Sequence, residues 1–552
     1  MPSARATNPA PFDECAAAPI WTPMSDARTR PTEPNTADPA AGARSGSEPS
    51  ATRMEVAPPA LAGSDASIVI GPILRFRGEV EGRPRFSVTI GCRGDAPELR
   101  VGDASVEPRA LGTLDRVRFH DYALPPGASA YRFDRAERPI VAPGEGASLR
   151  IAYASCNGGE DEELAASYPG GRNAMWADLG RTHGADPFHL LVLGGDQIYA
   201  DALWDLPPIA AWKALPARRR HVAPFADEMR RALERHYLEV YAHVFNAPEV
   251  APLVASIPCV MMWDDHDIVD GWGSRPARWQ ESPVARGLFS VARRAFALVQ
   301  LGCAPDAPSE DFGARNGEHF GWSADYGPAR VVVPDLRSER TRHRVLGASG
   351  HAHLQAALEG MEAPHALVVM TVPLVNADLS LVERLVTPLT PVADLYQDDL
   401  RDQWMSFRHR AEWHRVTGRL LDLARGGTRV SLLSGEIHFG ALATAERDEP
   451  GGERTRLEQF IASGIAHPPP PPALARAFER FSRRPWRRGD KHLATHEIAP
   501  DGRSFLAERN WLELTAAPDG ALHAVLHAER SGEIPLVGRT EDRPSGRTAD
   551  AA

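Results

Sequence analysis

The stretch CVMMWDDHD, from Cys259 to Asp267, joins five apolar residues to three carboxylates and an imidazole. A continuous apolar run of this length predicts a strand that is buried on both faces, as in a parallel sheet covered by helices. A second stretch, HLLVLGGDQIYAD from His189 to Asp201, has the same order of an apolar run followed by polar residues. Both stretches predict an α/β domain whose polar side chains collect at the carboxyl ends of its strands.

Further apolar runs extend this pattern along the chain. They predict strands at Leu149–Ala154, Ala329–Pro334, Ala366–Val372 and Arg429–Leu433. Two longer stretches between them have helical spacing, Pro283–Gln300 and Asp399–Arg425. Ser282 is the predicted N-cap of the first, since Pro283 suits the first helical position.

The residues that precede this pattern have shorter apolar runs. Short runs at Ser67–Leu74, Arg85–Gly91 and Arg116–Tyr122 are separated by Gly, Pro and Asp, which predicts a small immunoglobulin-like β-sandwich over residues 66–147. The α/β domain then covers residues 148–535 and ends in a hairpin, Trp511–Thr515 with Leu522–His527. Residues 1–65 and 536–552 are polar or small, and we expect them to be disordered tails.

Composition excludes several classes of protein. The 552 residues carry 62 Lys and Arg against 73 Asp and Glu, a net charge of −11, which argues against a general nucleic-acid or membrane-surface binder. Five scattered cysteines argue against a disulfide scaffold, and no apolar run is long enough for a membrane span. No export signal is recognisable, so a cytoplasmic location is the default expectation. The sequence leaves the oligomeric state open.

Polar groups follow five of the predicted strands. We expect these segments to converge at one edge of the sheet: Ser155–Asn157, Gly195–Asp201, Asp264–Asp267, Asp335–Arg340 and Ser434–His438. Carboxylates held close together repel one another unless a multivalent cation lies among them. Oxygen ligands suit Ca²⁺, Mg²⁺ or Mn²⁺, whereas a thiolate or phenolate suits iron or zinc. The mixture predicts unlike metals side by side, as in two-metal sites that act on phosphorus.

Each of these groups alone has a plainer interpretation. Cys156 by itself would be a small buried core residue, and a Gly-Asp pair after a strand would be a turn. Asp335, Arg337 and Arg340 form either structural ion pairs or a phosphate-binding group. The functional interpretation depends on the joint occurrence of these residues at strand ends.

The motifs together resemble the alkaline phosphatase D (PhoD-like) metallophosphatase family. The resemblance covers roughly Ala66 to Arg530 and is carried by Ala154–Asn157, Gly195–Tyr199, Trp263–Asp267, Asp335–Arg340, Gln403-Trp404 and Ser434–His438. It implies a β-sandwich-like domain before a calcineurin-like metallophosphatase domain of layered sheets flanked by helices. It also implies a site that uses ferric iron and calcium and acts on phosphomonoesters or phosphodiesters.

The same resemblance implies a set of metal ligands. Cys156 and Tyr199 would bind the ferric ion, Asp196 would bridge the metals, and further ligands would be Asp265, Glu436 and His438. As a hypothesis of our own, His266 donates a proton to the leaving oxygen, and Arg337 or Arg340 stabilises charge on the phosphoryl group.

The sequence departs from the family pattern at three points. The last element is commonly Gly-Asp-x-His, whereas here Glu436 replaces the aspartate, so that Zn, Mn or Mg are alternatives to iron and calcium. Asp267 stands where glutamate is frequent. The twin-arginine export signal of better-known members is not recognisable in this chain.

The sequence therefore predicts a hydrolase that cleaves small phosphoric esters with a metal-activated water. One alternative is a nuclease or phospholipase D-like phosphodiesterase on the same site, for which Arg286, Arg293 and Arg294 on one helix are a weak indication. A second alternative is a non-catalytic binding protein whose metals only stabilise the fold and have no open coordination position for water.

Overall fold

The computed structural model describes residues 68–133, 136–158, 167–306, 318–375, 403–470, 475–476, 479–480, 485–499 and 501–536. The predicted tail over residues 1–65, and all but Leu536 of the predicted tail over 536–552, lie outside the described residues.

The strands of the described chain are numbered in chain order. They are β1 (Ile68–Val80), β2 (Arg83–Cys92), β3 (Leu99–Val101), β4 (Ala104–Val106), β5 (Arg109–Leu114), β6 (Val117–Ala123), β7 (Ala130–Phe133), β8 (Ala136–Pro139), β9 (Leu149–Ala154), β10 (Leu190–Gly194), β11 (Cys259–Met262), β12 (Trp322–Tyr326), β13 (Ala329–Val333), β14 (His365–Val369), β15 (Arg429–Ser434), β16 (Gly440–Asp448), β17 (Arg454–Ala462), β18 (Trp486–Arg488), β19 (Lys491–His496), β20 (Phe505–Leu506), β21 (Asn510–Ala516), β22 (Leu522–Ala528) and β23 (Gly532–Pro535).

The α-helices of the same residues are numbered in the same way. They are α1 (Ala174–Ala185), α2 (Pro207–Lys213), α3 (Ala217–Arg220), α4 (Asp227–Phe245), α5 (Ala251–Ser256), α6 (Ala277–Gln280), α7 (Pro283–Phe296), α8 (Ala348–Leu358) and α9 (Arg410–Arg425). Two short 3₁₀ helices cover Asp201–Asp205 and Phe407–His409, and a π-helical turn covers Ala297–Leu301. No described helix is both long and apolar enough to cross a membrane.

Two large sheets position the candidate site. The first has the strand order β23-β22-β21-β9-β10-β11-β1-β2-β6-β5, with β10 parallel to both β9 and β11. The second has the order β12-β13-β14-β15-β17-β16-β19-β18, with β13, β14, β15 and β17 parallel, and β20 pairs with β16. The parallel strands are those predicted from continuous apolar runs, except β17 and β1, which pairs parallel with β11.

Alternation along the second sheet explains the layered packing. On β13, Val331 and Val333 belong to a core cluster that they share with the first sheet, whereas Val332 belongs to a cluster with residues of α8 and α9. On β15, Leu433 belongs to the cluster shared with the first sheet, and Leu432 belongs to the cluster with the helices. Because successive side chains of a strand point to opposite faces, one face of this sheet packs on the first sheet and the other on helices. The predicted α/β class of layered sheets flanked by helices is confirmed.

The N-terminal strands extend the first sheet. β1 pairs antiparallel with β2 and parallel with β11, where Arg75 lies opposite Cys259. Strands β3, β4, β7 and β8 form a separate four-stranded sheet. The strands predicted for residues 66–147 are present, and the division into domains at residues 147 and 148 stays a prediction.

The predicted helices are only partly confirmed. The first begins at Pro283, where the Ser282 hydroxyl accepts a hydrogen bond from the Ala285 amide at 3.3 Å, and its last turn becomes π-helical from Ala297. The prediction of a helix from residue 399 is wrong for the described residues 403–409, since α9 begins only at Arg410. The Ser406 hydroxyl accepts from the Arg408 amide and starts a short 3₁₀ helix there, so the chain turns before α9. The terminal hairpin is confirmed as β21 and β22.

Candidate active site

Three of the predicted metal ligands meet where strands from the two sheets end. Cys156 follows β9, Asp196 follows β10, and Glu436 follows β15. The Cys156 sulfur lies 3.7 Å from Oδ2 of Asp196 and accepts a hydrogen bond from the Glu436 amide at 3.3 Å. Residues 280 positions apart in sequence are thus in direct contact.

The backbone is strained at four of the predicted ligands. Cys156, Asp196, Glu436 and His438 have φ angles of 53°, 53°, 67° and 55°. Positive φ is uncommon for residues other than glycine, and it persists where the surrounding structure over-determines it, most often at functional sites. The left-handed turns direct these side chains away from the strand path.

Gly195 has a related role just before Asp196. Its φ is 100°, and a Cβ atom there would lie 2.9 Å from Cβ of Asp264. Only glycine fits this approach without displacing a neighbour. The glycine therefore allows the ends of β10 and β11 to bring their carboxylates together.

Several buried polar atoms of the predicted ligands lack the hydrogen-bond partners that buried polar atoms normally have. In the part of the chain that the structure describes, Oδ1 of Asp196 and Nδ1 of His438 make no hydrogen bond, and the Tyr199 hydroxyl group contacts no nitrogen or oxygen partner. Buried polar groups are normally hydrogen-bonded or bound to a metal. The donor set of thiol, phenol, carboxylate and imidazole therefore fits a metal centre.

Two groups of side chains place ligand atoms within 4.8 Å of one another. One consists of Asp196, Asp264 and Asp265, and the other of Asp265, His266 and Asp270. Burial raises the pKa of Asp196 well above its ordinary value, and the nearby Asp264 and Asp265 raise it further, against an opposing effect of His266. Like charges so close together are stable when a cation lies among them. These groups can hold a metal ion.

Arg337 contacts the acidic cluster directly. Its Nε donates to Oδ1 of Asp264, and its Nη2 lies 3.3 Å from Oδ1 of Asp265. Its Nη1 donates to the Trp272 carbonyl oxygen at 3.2 Å. The side chain is fully buried. Arg337 thus holds two carboxylates in place.

Arg340 lies one loop away from that cluster. A Cβ atom on Gly273 would lie 2.6 Å from Cγ and Cδ of Arg340, so the arginine methylenes pass directly over this glycine. The Arg340 carbonyl oxygen accepts from Nε2 of Gln280 at 2.9 Å. These contacts tie Arg340 to the loop around Gly273, and its role toward a phosphoryl group stays a prediction.

His266 forms a buried pair with a carboxylate. Its Nδ1 lies 2.6 Å from Oδ2 of Asp201, and its ring stacks on Tyr199 with the ring centres 4.2 Å apart. Burial disfavours the charged imidazole, but the Asp201 carboxylate outweighs that effect and raises the pKa of His266 well above its ordinary value. His266 can therefore carry a proton at neutral pH.

Asp267, the last acid of the DDHD element, belongs to neither of the two ligand groups described above. Its carboxylate accepts hydrogen bonds from the Ile198 amide at 3.2 Å, the Asp264 amide at 2.8 Å and Nε2 of Gln300 at 2.7 Å. Burial raises its pKa to about 7. Asp267 fastens the two loops that carry the candidate ligands.

Comparison with known proteins agrees with this geometry. Residues 138–394 match a family model described as PhoD related phosphatase. The resemblance to the PhoD-like family is confirmed. The PhoD-like segment includes the ends of β9, β10, β11 and β13, whereas Glu436 and His438 lie beyond it. The match supports phosphoester hydrolysis as the reaction class.

Individual relatives of the chain are distant. The chain is 23% identical over 535 residues to the uncharacterized protein YGR266W of Saccharomyces cerevisiae, covering 76% of this chain and 75% of the relative. The solved structure of PhoD is 12% identical, with a TM-score of 0.49 over 86% of this chain and 93% of that one. Purple acid phosphatase PPD1 from yellow lupin (Lupinus luteus) seeds is also 12% identical, with a TM-score of 0.45 over 84% of this chain and 72% of that one.

The candidate site contains a histidine that the sequence patterns did not indicate. His467 stacks on His438 with ring centres 3.6 Å apart and planes 12° apart, and its ring also lies 5.4 Å from that of Tyr199. Its amide donates to the Cys156 carbonyl oxygen at 3.1 Å. His467 follows β17, so the rule that selected Cys156 applied to it. The alternating sequence RTRLEQFIA concealed β17 as a parallel strand.

Other residues of the site were also missed. Asp201 lies in the predicted polar segment Gly195–Asp201 but was given no role of its own, although its Oδ1 accepts from the Asp270 amide at 2.8 Å and its Oδ2 pairs with His266. Thr371, after β14, donates its hydroxyl proton to Oδ1 of Asp264 at 3.0 Å. Gln403 donates to Oε2 of Glu436 at 2.9 Å. Asp201 and Gln403 belong to motifs that the sequence had indicated, whereas Thr371 lies in a predicted strand without a polar motif.

Proposed function

We propose that this protein hydrolyses phosphoric esters, either monoesters or diesters, with a water molecule activated by bound metal ions. One observation carries the proposal. A thiol, a phenol, an imidazole and three carboxylates converge near strand ends, four of these six residues have positive φ, and several of their buried polar atoms lack hydrogen-bond partners. Such a site suits metal-assisted displacement at phosphorus.

We propose ferric iron and calcium as the metals, which Cys156, Tyr199 and Asp196 would hold, with Cys156 and Tyr199 as the ligands suited to iron. Asp265, Glu436 and His438 complete the proposed ligands. Burial raises the pKa of both the Cys156 thiol and the Tyr199 phenol, so that a cation is needed to deprotonate them. When bound, the metals would supply the Lewis acidity that turns water into a nucleophile at neutral pH.

His266 is the proposed proton donor to the leaving oxygen. Asp201 fixes its Nδ1, which leaves Nε2 as the atom that meets the substrate. The stacked Tyr199 ring restricts the orientation of the imidazole. A proton donor held in this way contributes roughly 10²- to 10⁴-fold to the rate of a reaction with a poor leaving group.

Of the two interpretations of its motif, ion pairing and phosphate binding, we propose ion pairing for Arg337. Its guanidinium contacts Asp264 and Asp265 and is fully buried. We propose that it positions these carboxylates and neutralises part of their mutual repulsion. Asp335 supports that arrangement, since its Oδ1 accepts the Arg337 amide at 2.9 Å and the Nε1 of Trp263 at 2.9 Å.

The test is hydrolysis of bis-p-nitrophenyl phosphate and p-nitrophenyl phosphate by the purified protein, with and without chelator and with iron and calcium restored. We expect turnover that chelator abolishes, that the metals restore and that Asp265→Asn lacks. Asp325→Asn is the matched control, since Asp325 pairs only with Arg330 in a half-exposed ion pair among the contacts described. Its turnover should equal that of the wild type.

The alternatives give different outcomes in the same assay. A diester specialist such as a nuclease or phospholipase D-like enzyme would cleave the diester alone. A metal-stapled binding protein would hold metal and cleave neither ester. Full activity of Asp265→Asn would contradict the assignment of the site.

A further inference from the structure

Ser463 lies directly after β17 and is fully buried beside two of the proposed metal ligands. Its hydroxyl oxygen is 3.1 Å from the Cys156 sulfur. The same oxygen accepts a hydrogen bond from the His438 amide at 2.8 Å. One hydroxyl group therefore joins the thiol of one proposed ligand to the backbone of another.

The backbone around Ser463 is fixed by neighbouring residues. Nδ2 of Asn510, on β21, donates to the Ser463 carbonyl oxygen at 2.9 Å, and the Asn510 amide donates to the Gly464 carbonyl oxygen at 3.2 Å. Gly464 has a φ of 90°, and a Cβ atom there would lie 2.8 Å from the His467 carbonyl oxygen. The first sheet and this tight turn thus determine where the Ser463 hydroxyl lies.

The direction of the hydrogen bond between Ser463 and Cys156 follows from the partners of the hydroxyl group. A serine hydroxyl has one proton and two lone pairs. The His438 amide can only donate, so it occupies a lone pair, and the hydroxyl proton can point to the sulfur. A metal-bound cysteine is a thiolate, which has no proton to give. In that state Ser463 is the donor and Cys156 the acceptor.

A second donor reaches the same sulfur. The Glu436 amide, from the loop after β15, donates to the Cys156 sulfur at 3.3 Å. Hydrogen bonds to a ligating sulfur withdraw electron density from it and tune the electronic properties of the metal. A thiolate that donates less electron density leaves the metal a stronger Lewis acid toward a bound water molecule.

We propose that Ser463 is a positioning residue of the metal centre, which orients the Cys156 thiolate by a hydrogen bond and limits the electron density that the sulfur donates to the metal. Through the His438 amide, the same hydroxyl also ties the loop after β15 to the turn after β17. The inference rests on the proposed function and deepens it, because it names a residue outside the proposed ligand set that controls the metal.

The experiment compares the wild type with Ser463→Ala, both loaded with ferric iron, by absorption spectroscopy and metal titration. The sulfur-to-iron charge-transfer band is identified as the band that Cys156→Ala lacks. We expect Ser463→Ala to move this band to longer wavelength, because a sulfur without the hydrogen bond holds its electrons less tightly. Metal affinity should fall about 10- to 100-fold. The phenolate band, identified as the one that Tyr199→Phe lacks, should move less.

Ser431→Ala is the matched control. Ser431, on β15, is also fully buried, and its hydroxyl group has no hydrogen-bond partner in the described part of the chain. This variant should keep the wild-type band and metal affinity. A sulfur band that stays in place in Ser463→Ala overturns the inference, and a lower Tm of the metal-free variant without a band shift would limit Ser463 to folding.

Loading with cobalt(II), whose bond to a thiolate also gives a charge-transfer band, separates the inference from the choice of iron. A cobalt band that shifts in Ser463→Ala supports the inference even if iron does not bind. If neither metal gives a band that depends on Cys156, the proposed metal site is wrong and the inference is overturned with it. A shifted band in a protein that hydrolyses neither p-nitrophenyl ester supports the inference and contradicts only the hydrolytic proposal.

Discussion

Oδ2 of Asp201 lies 2.6 Å from Nδ1 of His266, although 65 residues separate the two in sequence. Both side chains are mostly buried, and the carboxylate keeps the imidazole in one orientation. The same Asp201 accepts the Asp270 amide through its other oxygen. A carboxylate held so firmly acts on its histidine partner rather than as a free acid.

Replacing Asp201 with asparagine preserves the size of the side chain and removes the charge that keeps His266 protonated. We expect the kcat for an alkyl phosphate to fall by about 100-fold, because the alkoxide needs a proton to leave. The kcat for p-nitrophenyl phosphate should fall much less, since p-nitrophenolate leaves without one. Steady-state kinetics on both esters make the comparison. Equal losses on both esters would argue that Asp201 is needed only for folding or metal binding, which metal analysis of the variant would show.

Asp196→Asn should distinguish the effect of Asp196 on the stability of the metal-free protein from its effect on metal binding. Burial and the neighbouring carboxylates disfavour the charge on Asp196, so the metal-free variant should be at least as stable as the metal-free wild type. Metal at 100 times its Kd should raise the unfolding free energy of the wild type by about 2.7 kcal/mol and leave that of the variant unchanged. Thermal or urea unfolding with and without metal gives both values. A variant that gains stability from metal as the wild type does would remove Asp196 from the ligand set.

His467→Phe tests the histidine that follows β17. Nδ1 of His467 lies 2.7 Å from the Pro468 carbonyl oxygen, which can only accept, so Nδ1 carries the proton and Nε2 has the free electron pair. Phenylalanine keeps the stacking on His438 and removes both nitrogens. We expect metal affinity to fall about 10- to 100-fold with little change in the Tm of the metal-free protein. His183→Phe is the control, since His183 also stacks on an aromatic ring but lies on α1 beside Phe188. Unaltered metal titration in His467→Phe would limit that residue to packing.

Most residues of the candidate site could be proposed from the sequence because continuous apolar runs indicate buried strands. Cys156, Asp196 and Asp265 were found by their positions directly after such runs, and parallel strands bring those positions to one edge. His467 escaped the same rule because β17 alternates charged and apolar residues and was not recognised as parallel.

Long-range partners could not be read from local patterns. Nothing near Asp201 indicates that it meets His266, and the motif around Arg337 left ion pairing and phosphate binding equally open until the guanidinium was found to contact Asp264. The predicted helix from residue 399 was placed by apolar spacing, which also describes a buried turn such as the one that contains Trp404. Such features depend on tertiary packing, which local pattern does not encode.

Glu412→Gln should change how stability depends on pH, away from the site. The Glu412 carboxylate accepts from the Val345 amide at 2.8 Å, the Leu346 amide at 2.7 Å and Nε2 of His351 at 3.1 Å. Burial raises its pKa, but these hydrogen bonds outweigh that effect and lower it below the ordinary value. A lowered pKa means that the ionised group stabilises the fold above its unfolded pKa and loses that contribution as the pH falls. At pH 7 we expect the variant to be less stable by about 1.5–3 kcal/mol, with a smaller difference below about pH 4. Urea unfolding at both pH values, with the exposed Glu533→Gln as control, measures this, and a difference that stays constant with pH would contradict it.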